Sequence, residues 1–250
     1  MAQPPALLLL HYFGGSARSW DLLAAALGPA ARCVAPDMRG FGDNHAGGGP
    51  YTVDRYADDA AALAAGLGGR FVLVGHSMGG KVAVALAARR PPGLAGLVLV
   101  APSPPGPEPM SDAAREALRA SFGSREGAVR TARAISARAD GPGPEAAAVL
   151  DRIVADHLRA DRAAWDAWLD GGSREDITAR AAQVAVPVLV VAGAEDHALG
   201  PVVQRRLTLP LLPGGARVET VPGSRHLVPL DAPAELAGLI GAFLSAAAAP

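Results

Sequence analysis

The chain has 250 residues, half of them hydrophobic and 19% charged, with a formal net charge of −1, enough apolar material for one substantial core. The balanced charge, with no basic face, argues against a nucleic-acid partner. The single cysteine, Cys33, excludes an internal disulfide and fits a reducing compartment. The apolar run 6–10, after an uncharged 1–5, is too short for a signal peptide or a membrane span, so the chain reads as cytoplasmic and soluble.

Residues 6–10 have strand length and open the sheet as an interior parallel strand. The run ends in His11-Tyr12-Phe13-Gly14-Gly15-Ser16, a glycine-bearing loop. Ser19 is then placed to cap an amphipathic helix that turns Trp20, Leu23, Ala24 and Leu27 inward until Gly28-Pro29 stops it. A second strand over 32–35 leads into Pro36-Asp37-Met38-Arg39-Gly40-Phe41-Gly42-Asp43 and a glycine-rich loop to Pro50. The helical spacing of Val53, Tyr56, Ala60, Leu63 and Leu67 predicts the next helix, ended by Gly68-Gly69.

The apolar run 71–74 then enters Gly75-His76-Ser77-Met78-Gly79-Gly80 and an Ala/Val/Leu helix. Strand, sharp turn and helix form the context that a G-x-S-x-G nucleophile elbow requires. The turn strains the serine backbone and lifts its hydroxyl clear of the sheet, and side chains two positions to either side would collide, hence Gly75 and Gly79. The helix that follows directs unpaired backbone N–H groups at the place where negative charge develops during attack on a carbonyl, and Met78 supplies the first of them.

A fully apolar strand over 94–101 precedes a change of composition, because 102–109 is almost all Pro, Gly and Ser. From 111 to 180 the pattern is helical throughout, broken at glycines and prolines, and it reads as a helical insertion. A strand over 186–192, followed by Gly193-Ala194-Glu195-Asp196-His197, resumes the series. A helix near 202–209, a short strand over 216–221, the loop Pro222-Gly223-Ser224-Arg225-His226 and a final helix from Asp231 complete it. Alternating strands and helices imply a mostly parallel sheet of about six strands with helices on both faces.

Each candidate polar group follows a strand, at the carboxyl edge where open α/β sheets place their sites. Among six histidines, His226 lies in a small-residue loop from which an imidazole can reach Ser77 as its base. Asp196, with Glu195 beside it, is placed to orient that imidazole, and the order Ser, Asp, His is that of α/β-hydrolases. No cluster has zinc spacing, and neither a phosphate loop nor a dinucleotide fingerprint appears, so no metal or cofactor is implied.

The His-x-Phe-Gly-Gly loop at 11–15, Pro36-Asp37-x-Arg39-Gly40-x-Gly42, the elbow, Gly193-x-x-Asp196 and Gly223-x-x-His226 together resemble the lid-bearing serine esterases of the α/β-hydrolase superfamily over essentially the whole chain. The resemblance implies an α/β-hydrolase core at 1–102 and 186–250, a helical lid at 103–185, and the catalytic set Ser77, Asp196 and His226. It selects Asp196 over Glu195, and it adds the Phe13 N–H to that of Met78 as the oxyanion hole. It departs from the family at Tyr12, where relatives usually carry Gly, and this brings Tyr12 toward the substrate pocket. His76, His197, Trp165 and Trp168 are further pocket candidates. The alternatives are packing for His76, solvent exposure for His197 and anchoring of the lid for the tryptophans, which lie three apart on one helical face. His11 braces the oxyanion loop, Asp37 and Arg39 fix a turn, and His45 and His157 read as solvated.

The implied activity is hydrolysis of a small, largely apolar ester by a monomer or homodimer with no nucleic-acid or membrane partner. The same triad also serves thioesters, lactones and carbon–carbon bonds. A non-hydrolytic binding protein, or a lyase or oxygenase on this fold, is the reading from another class.

Overall fold

The computed structural model describes residues 5–29, 31–45 and 48–247; residues 1–4, the start of the stretch weighed as a signal peptide, lie outside them. Six parallel strands form one sheet: β1 (Ala6–Leu10), β2 (Cys33–Val34), β3 (Phe71–His76), β4 (Leu94–Val100), β5 (Val188–Gly193) and β6 (Arg217–Val221), in the order β2-β1-β3-β4-β5-β6. The apolar strands are buried on both faces, and successive side chains feed two different cores. Leu8, Leu10, Phe71, Leu73, Leu97 and Leu99 join one, whereas Leu7, Leu9, Val72, Val74, Val98 and Val100 join the other.

The first core is covered by α2 (Val53–Ala65), α3 (Met78–Ala88) and α8 (Thr178–Ala181), the second by α1 (Asp21–Leu27) and α11 (Pro233–Ala247). The strand predicted over 32–35 shortens to two residues. The first helix starts differently from the prediction: Ser16, not Ser19, caps a 3-10 turn over Ala17–Trp20, accepting from the Arg18 N–H, while the Ser19 hydroxyl donates to the Ser16 carbonyl at 2.5 Å. In α2 the inward stripe runs through Val53, Tyr56, Ala57, Ala60 and Ala64, so Leu63 falls just off it and is 41% exposed. The helix after β5 is irregular, a π turn over Gln204–Thr208 between short flanking turns, and the last helix begins at Pro233 after a separate turn over Val228–Asp231.

Between β4 and β5 the described residues form no strand. The chain passes instead through α4 (Asp112–Ser121), α5 (Arg125–Ile135), α6 (Pro144–Leu158), α7 (Arg162–Ala167), a π turn over Trp168–Gly172, and α8. This segment shares a third apolar cluster with the body, in which Ala128, Ala132, Val149 and Ile153 meet Tyr12, Leu227 and Leu230. The Asp231 carboxylate secures it further, accepting from the Ser136 hydroxyl at 2.6 Å and from the Ala137 N–H at 3.1 Å.

Both ends of the segment are held at one buried ammonium. Lys81, one turn into α3, has no exposed surface and donates to the carbonyls of Gly106 (3.0 Å), Gly172 (3.2 Å) and Glu175 (2.8 Å). Burial pushes its pKa down to about 8, against the upward pull of Glu108, Glu175 and Asp176. The two ends also bond to each other, Glu108 N–H to the Ser173 carbonyl and Ile177 N–H to the Pro105 carbonyl, each at 2.8 Å. Among the described residues no helix is long and apolar enough to cross a membrane.

Candidate active site

The site is built on the turn between β3 and α3. Ser77 sits at φ 53° and ψ −116°, a backbone region that costs an L-residue of order 1–3 kcal/mol and persists only where the surroundings enforce it. Here the enforcement comes from β4 and the chain beyond it. The Ser77 N–H donates to the Val100 carbonyl at 3.0 Å, and the Ser77 carbonyl accepts from Gly80 at 2.8 Å and Ser103 at 3.0 Å. A Cβ at Gly75 would strike the Gly79 carbonyl, and one at Gly79 would strike the carbonyls of Leu10 and His11, so both glycines are required by close backbone approach.

Ser77 opens onto a cavity of about 610 Å³ that His226, Asp196, Tyr12 and Phe13 also line. His226 Nδ1 lies 2.8 Å from Asp196 Oδ2. An ionised carboxylate only accepts, so Nδ1 carries a proton, and in the neutral ring Nε2 keeps its lone pair. Asp196 Oδ1 accepts from the Ala198 N–H at 2.9 Å and the Leu199 N–H at 3.0 Å. Burial alone would raise this carboxyl, but the charge and hydrogen bond of His226 and the two backbone donors outweigh it and bring the pKa down to about 2. Burial likewise works to lower His226, and the Asp196 charge and hydrogen bond, helped by Glu108 and Asp231, leave it above its ordinary value. Glu195 is exposed, and it is Asp196 whose carboxylate meets the imidazole.

The loop after β1 forms the facing wall. His11 is fully buried and neutral: its Nε2 accepts from the Met38 N–H at 2.9 Å, so its Nδ1 donates to the Tyr12 carbonyl at 2.8 Å, and burial holds its pKa below the ordinary value. The imidazole thereby ties this loop to the one after β2, where Asp37 accepts from the N–H groups of Ala17 (2.7 Å) and Asp43 (2.9 Å). Arg39 turns away to a bidentate pair with Asp59 at 2.9 and 3.0 Å. The Phe13 N–H donates to nothing among the described residues, and the Met78 N–H, first in α3, has no acceptor within its helix. Phe13 lines the cavity, and Met78 directly follows Ser77 in the chain.

Tyr12 packs its ring against His76 (centroids 5.2 Å apart) and over Gly15, and lines the cavity; its buried hydroxyl has no partner among the described residues. His197 is exposed at the rim and Trp165 and Trp168 are buried in the wall, so all three line the cavity. Trp165 packs at a tilt against Phe13, with ring centroids 4.2 Å apart, joining the helical segment to the loop after β1. His76 does not line the cavity, contrary to the expectation that placed it there. It lies behind His226, where its Nε2 donates to the His226 carbonyl at 2.9 Å, because β3 directs alternate side chains to opposite faces and residue 76 points away from the cavity. Burial, with the nearby His226 charge, pushes His76 well below its ordinary pKa, so it serves as a neutral brace.

Glu108 and His157 are among the cavity residues that the sequence reading did not place there. Glu108 lies in the Pro-rich stretch where nothing marks it. Burial raises its pKa, against the charges of Lys81, His226 and Arg115. His157, expected in solvent, is buried and lines the cavity. The spacing Val149, Ile153, His157 on α6 was the signal, since i, i+4, i+8 share one helical face. Among the described residues no group of three or more His, Cys, Asp or Glu side chains is placed to hold a metal ion.

A model described as the alpha/beta hydrolase family matches residues 7–239. Lipase LipV of Mycobacterium tuberculosis is 41% identical over 101 residues, which is 40% of this chain and 38% of that protein. N-formylmaleamate deformylase of Pseudomonas putida is 39% identical over 104 residues, 41% of this chain and 39% of that protein. The chain thus aligns with about two-fifths of the length of each of these curated relatives. Among solved structures, a thermophilic esterase from Thermogutta terrifontis superimposes with a TM-score of 0.82 at 28% identity, covering 100% of this chain and 92% of that one.

Proposed function

Because the chain belongs to the alpha/beta hydrolase family, we propose that it is a serine hydrolase that cleaves a largely apolar carboxylic ester through an acyl-enzyme. The observation that carries this reading is the His226–Asp196 pair, set in the wall of the cavity onto which Ser77 opens. Ser77 Oγ attacks the ester carbonyl carbon and passes its proton to His226 Nε2, while Asp196 holds the other nitrogen and stabilises the imidazolium. The carbonyl oxygen, now an alkoxide, is held by the N–H groups of Phe13 and Met78. His226 returns the proton to the departing alcohol oxygen as the carbon–oxygen bond breaks. A water molecule then repeats the sequence on the acyl-enzyme, releasing the acid and regenerating Ser77.

The segment 103–185 acts as the lid over this site. It contributes Leu118, Ile135, Ile153, Trp165 and Trp168 to the cavity, so the shape that receives the substrate is set largely by its side chains. A cavity of about 610 Å³ falls within the range of small-molecule sites, and its aromatic walls favour apolar acyl groups. The likeness to an esterase over the whole chain supports the choice of esters; thioesters and lactones would use the same steps.

The lid assignment is tested by Trp165→Ala and Trp168→Ala. Each is expected to change the ranking of ester substrates by acyl or alcohol size while turnover of an activated acetate ester survives. Loss of one large pocket contact shifts selectivity by about 1–3 kcal/mol, or roughly ten- to two-hundredfold, within reach of substrate profiling. If both variants keep the parent ranking and only melt earlier, the tryptophans are anchors and the lid does not set specificity.

A further inference from the structure

The cavity wall built by the helical segment contains an unclaimed acceptor. His157 on α6 is buried, and its Nε2 lies 3.1 Å from the Ser121 carbonyl and 3.4 Å from the Ser121 hydroxyl. A carbonyl only accepts, so Nε2 is the protonated nitrogen; the Ser121 hydroxyl donates to the Leu118 carbonyl at 2.7 Å and is free to accept as well. The lone pair is therefore on Nδ1. That atom has no partner among the described residues, yet it is not sealed away, and the residue lines the cavity. Burial keeps the ring below its ordinary pKa, against the Ser121 carbonyl, so it stays neutral at neutral pH.

The placement of the ring fixes which part of a substrate it meets. Trp165 packs at a tilt against Phe13, with ring centroids 4.2 Å apart, and His157 packs at a tilt against Trp165, with centroids 4.5 Å apart. His157 thus lies one ring beyond Trp165 from the oxyanion loop. In the proposed reaction the leaving alcohol sits at His226 Nε2 to receive its proton, and the acyl group is assigned to the wall that runs from Phe13 through Trp165. Around His157 that wall is apolar, formed by Leu118, Ile153 and Trp165, with the Thr131 side chain also lining the cavity. An acceptor in such a wall discriminates strongly, because a methyl group placed against it strips its water and leaves it unpaired.

We propose that His157 is a specificity-determining residue whose Nδ1 accepts a hydrogen bond from a hydroxyl or amide N–H on the acyl part of the substrate, so that among esters of largely apolar acids those carrying one such donor along the chain are preferred. The inference rests on the serine-hydrolase reading for the direction of the acyl group only, and its test is separable from that reading. Ser77→Ala protein is titrated calorimetrically with matched carboxamides of four to ten carbons, each with and without a hydroxyl along the chain. At the chain length that reaches His157, the hydroxylated member binds about tenfold or more tightly than its partner, and adding His157→Leu abolishes that ratio. His157→Asn, which keeps an acceptor, restores part of it, a result that simple anchoring of α6 does not produce.

The same ratio is then read as kcat/KM on the corresponding esters with Ser77 intact. A binding preference without ester turnover upholds the role of His157 and overturns the hydrolase reading. Equal binding of every matched pair, or a preference that His157→Leu leaves in place, overturns the role of His157 whatever the reaction proves to be.

Discussion

Ser77→Ala is expected to lower kcat/KM for any ester the protein turns over by at least about a hundredfold, with the melting temperature close to the parent's. The loss is large because the hydroxyl forms the covalent bond on which both half-reactions depend. The fold is expected to persist because the Ser77 side chain borders a cavity, and the hydrogen bonds that fix the turn come from its backbone. Retained turnover above about a hundredth of the parent rate identifies another nucleophile.

The second large effect is expected from Asp196→Asn. The amide nearly preserves the shape but can present its NH₂ to His226 Nδ1, which favours the tautomer with Nε2 protonated, unable to accept the serine proton. A loss of about 10² to 10⁴ in kcat follows, against little change for the exposed Glu195→Gln. The opposite ranking reassigns the acid. The pH dependence separates the two effects of Asp196. His226 must be neutral to act as a base, and its pKa is raised, so the acidic limb of kcat/KM lies above the ordinary histidine value of 6.5. Removing the Asp196 charge leaves the burial that lowers His226, so the limb moves to lower pH. For stability the signs are opposed. The contribution of Asp196 is present above its unfolded pKa near 3.8 and is lost as pH falls through about 2. That of His226 is full below 6.5 and is lost as pH rises through its raised value.

The elbow could be read from residues because its rules are local: an apolar strand, glycines at two fixed offsets, and a helix. The Glu195/Asp196 pair and His226 were legible for a related reason, since parallel strands end at one edge of the sheet and residues just after them converge there, and the family resemblance chose Asp196 of the pair. Other features depend on long-range packing. α3 is buried on every side because α2, α8 and the strands β1, β3 and β4 surround it, so the helical spacing of its apolar residues marks only part of what is buried. Leu63 satisfies the helical period and is still exposed, because Ala57, Ala60 and Ala64 already fill the contact. Lys81 carries a charge that periodicity assigns to solvent. Its role becomes visible only when carbonyls from Gly106, Gly172 and Glu175 converge on it from 25 to 94 residues away. His76 and His157 show the limit most clearly. One was expected in the pocket and braces His226 from behind, whereas the other was expected in solvent and lines the cavity.

The central claim is that Ser77, activated by His226, is the nucleophile, and the most direct measurement is covalent labelling by a small fluorophosphonate followed by peptide mass spectrometry. The claim predicts one stoichiometric adduct, located on Ser77, that forms at least about a hundredfold more slowly in His226→Ala protein. An intact protein that stays unlabelled, or an adduct on any other residue, contradicts it.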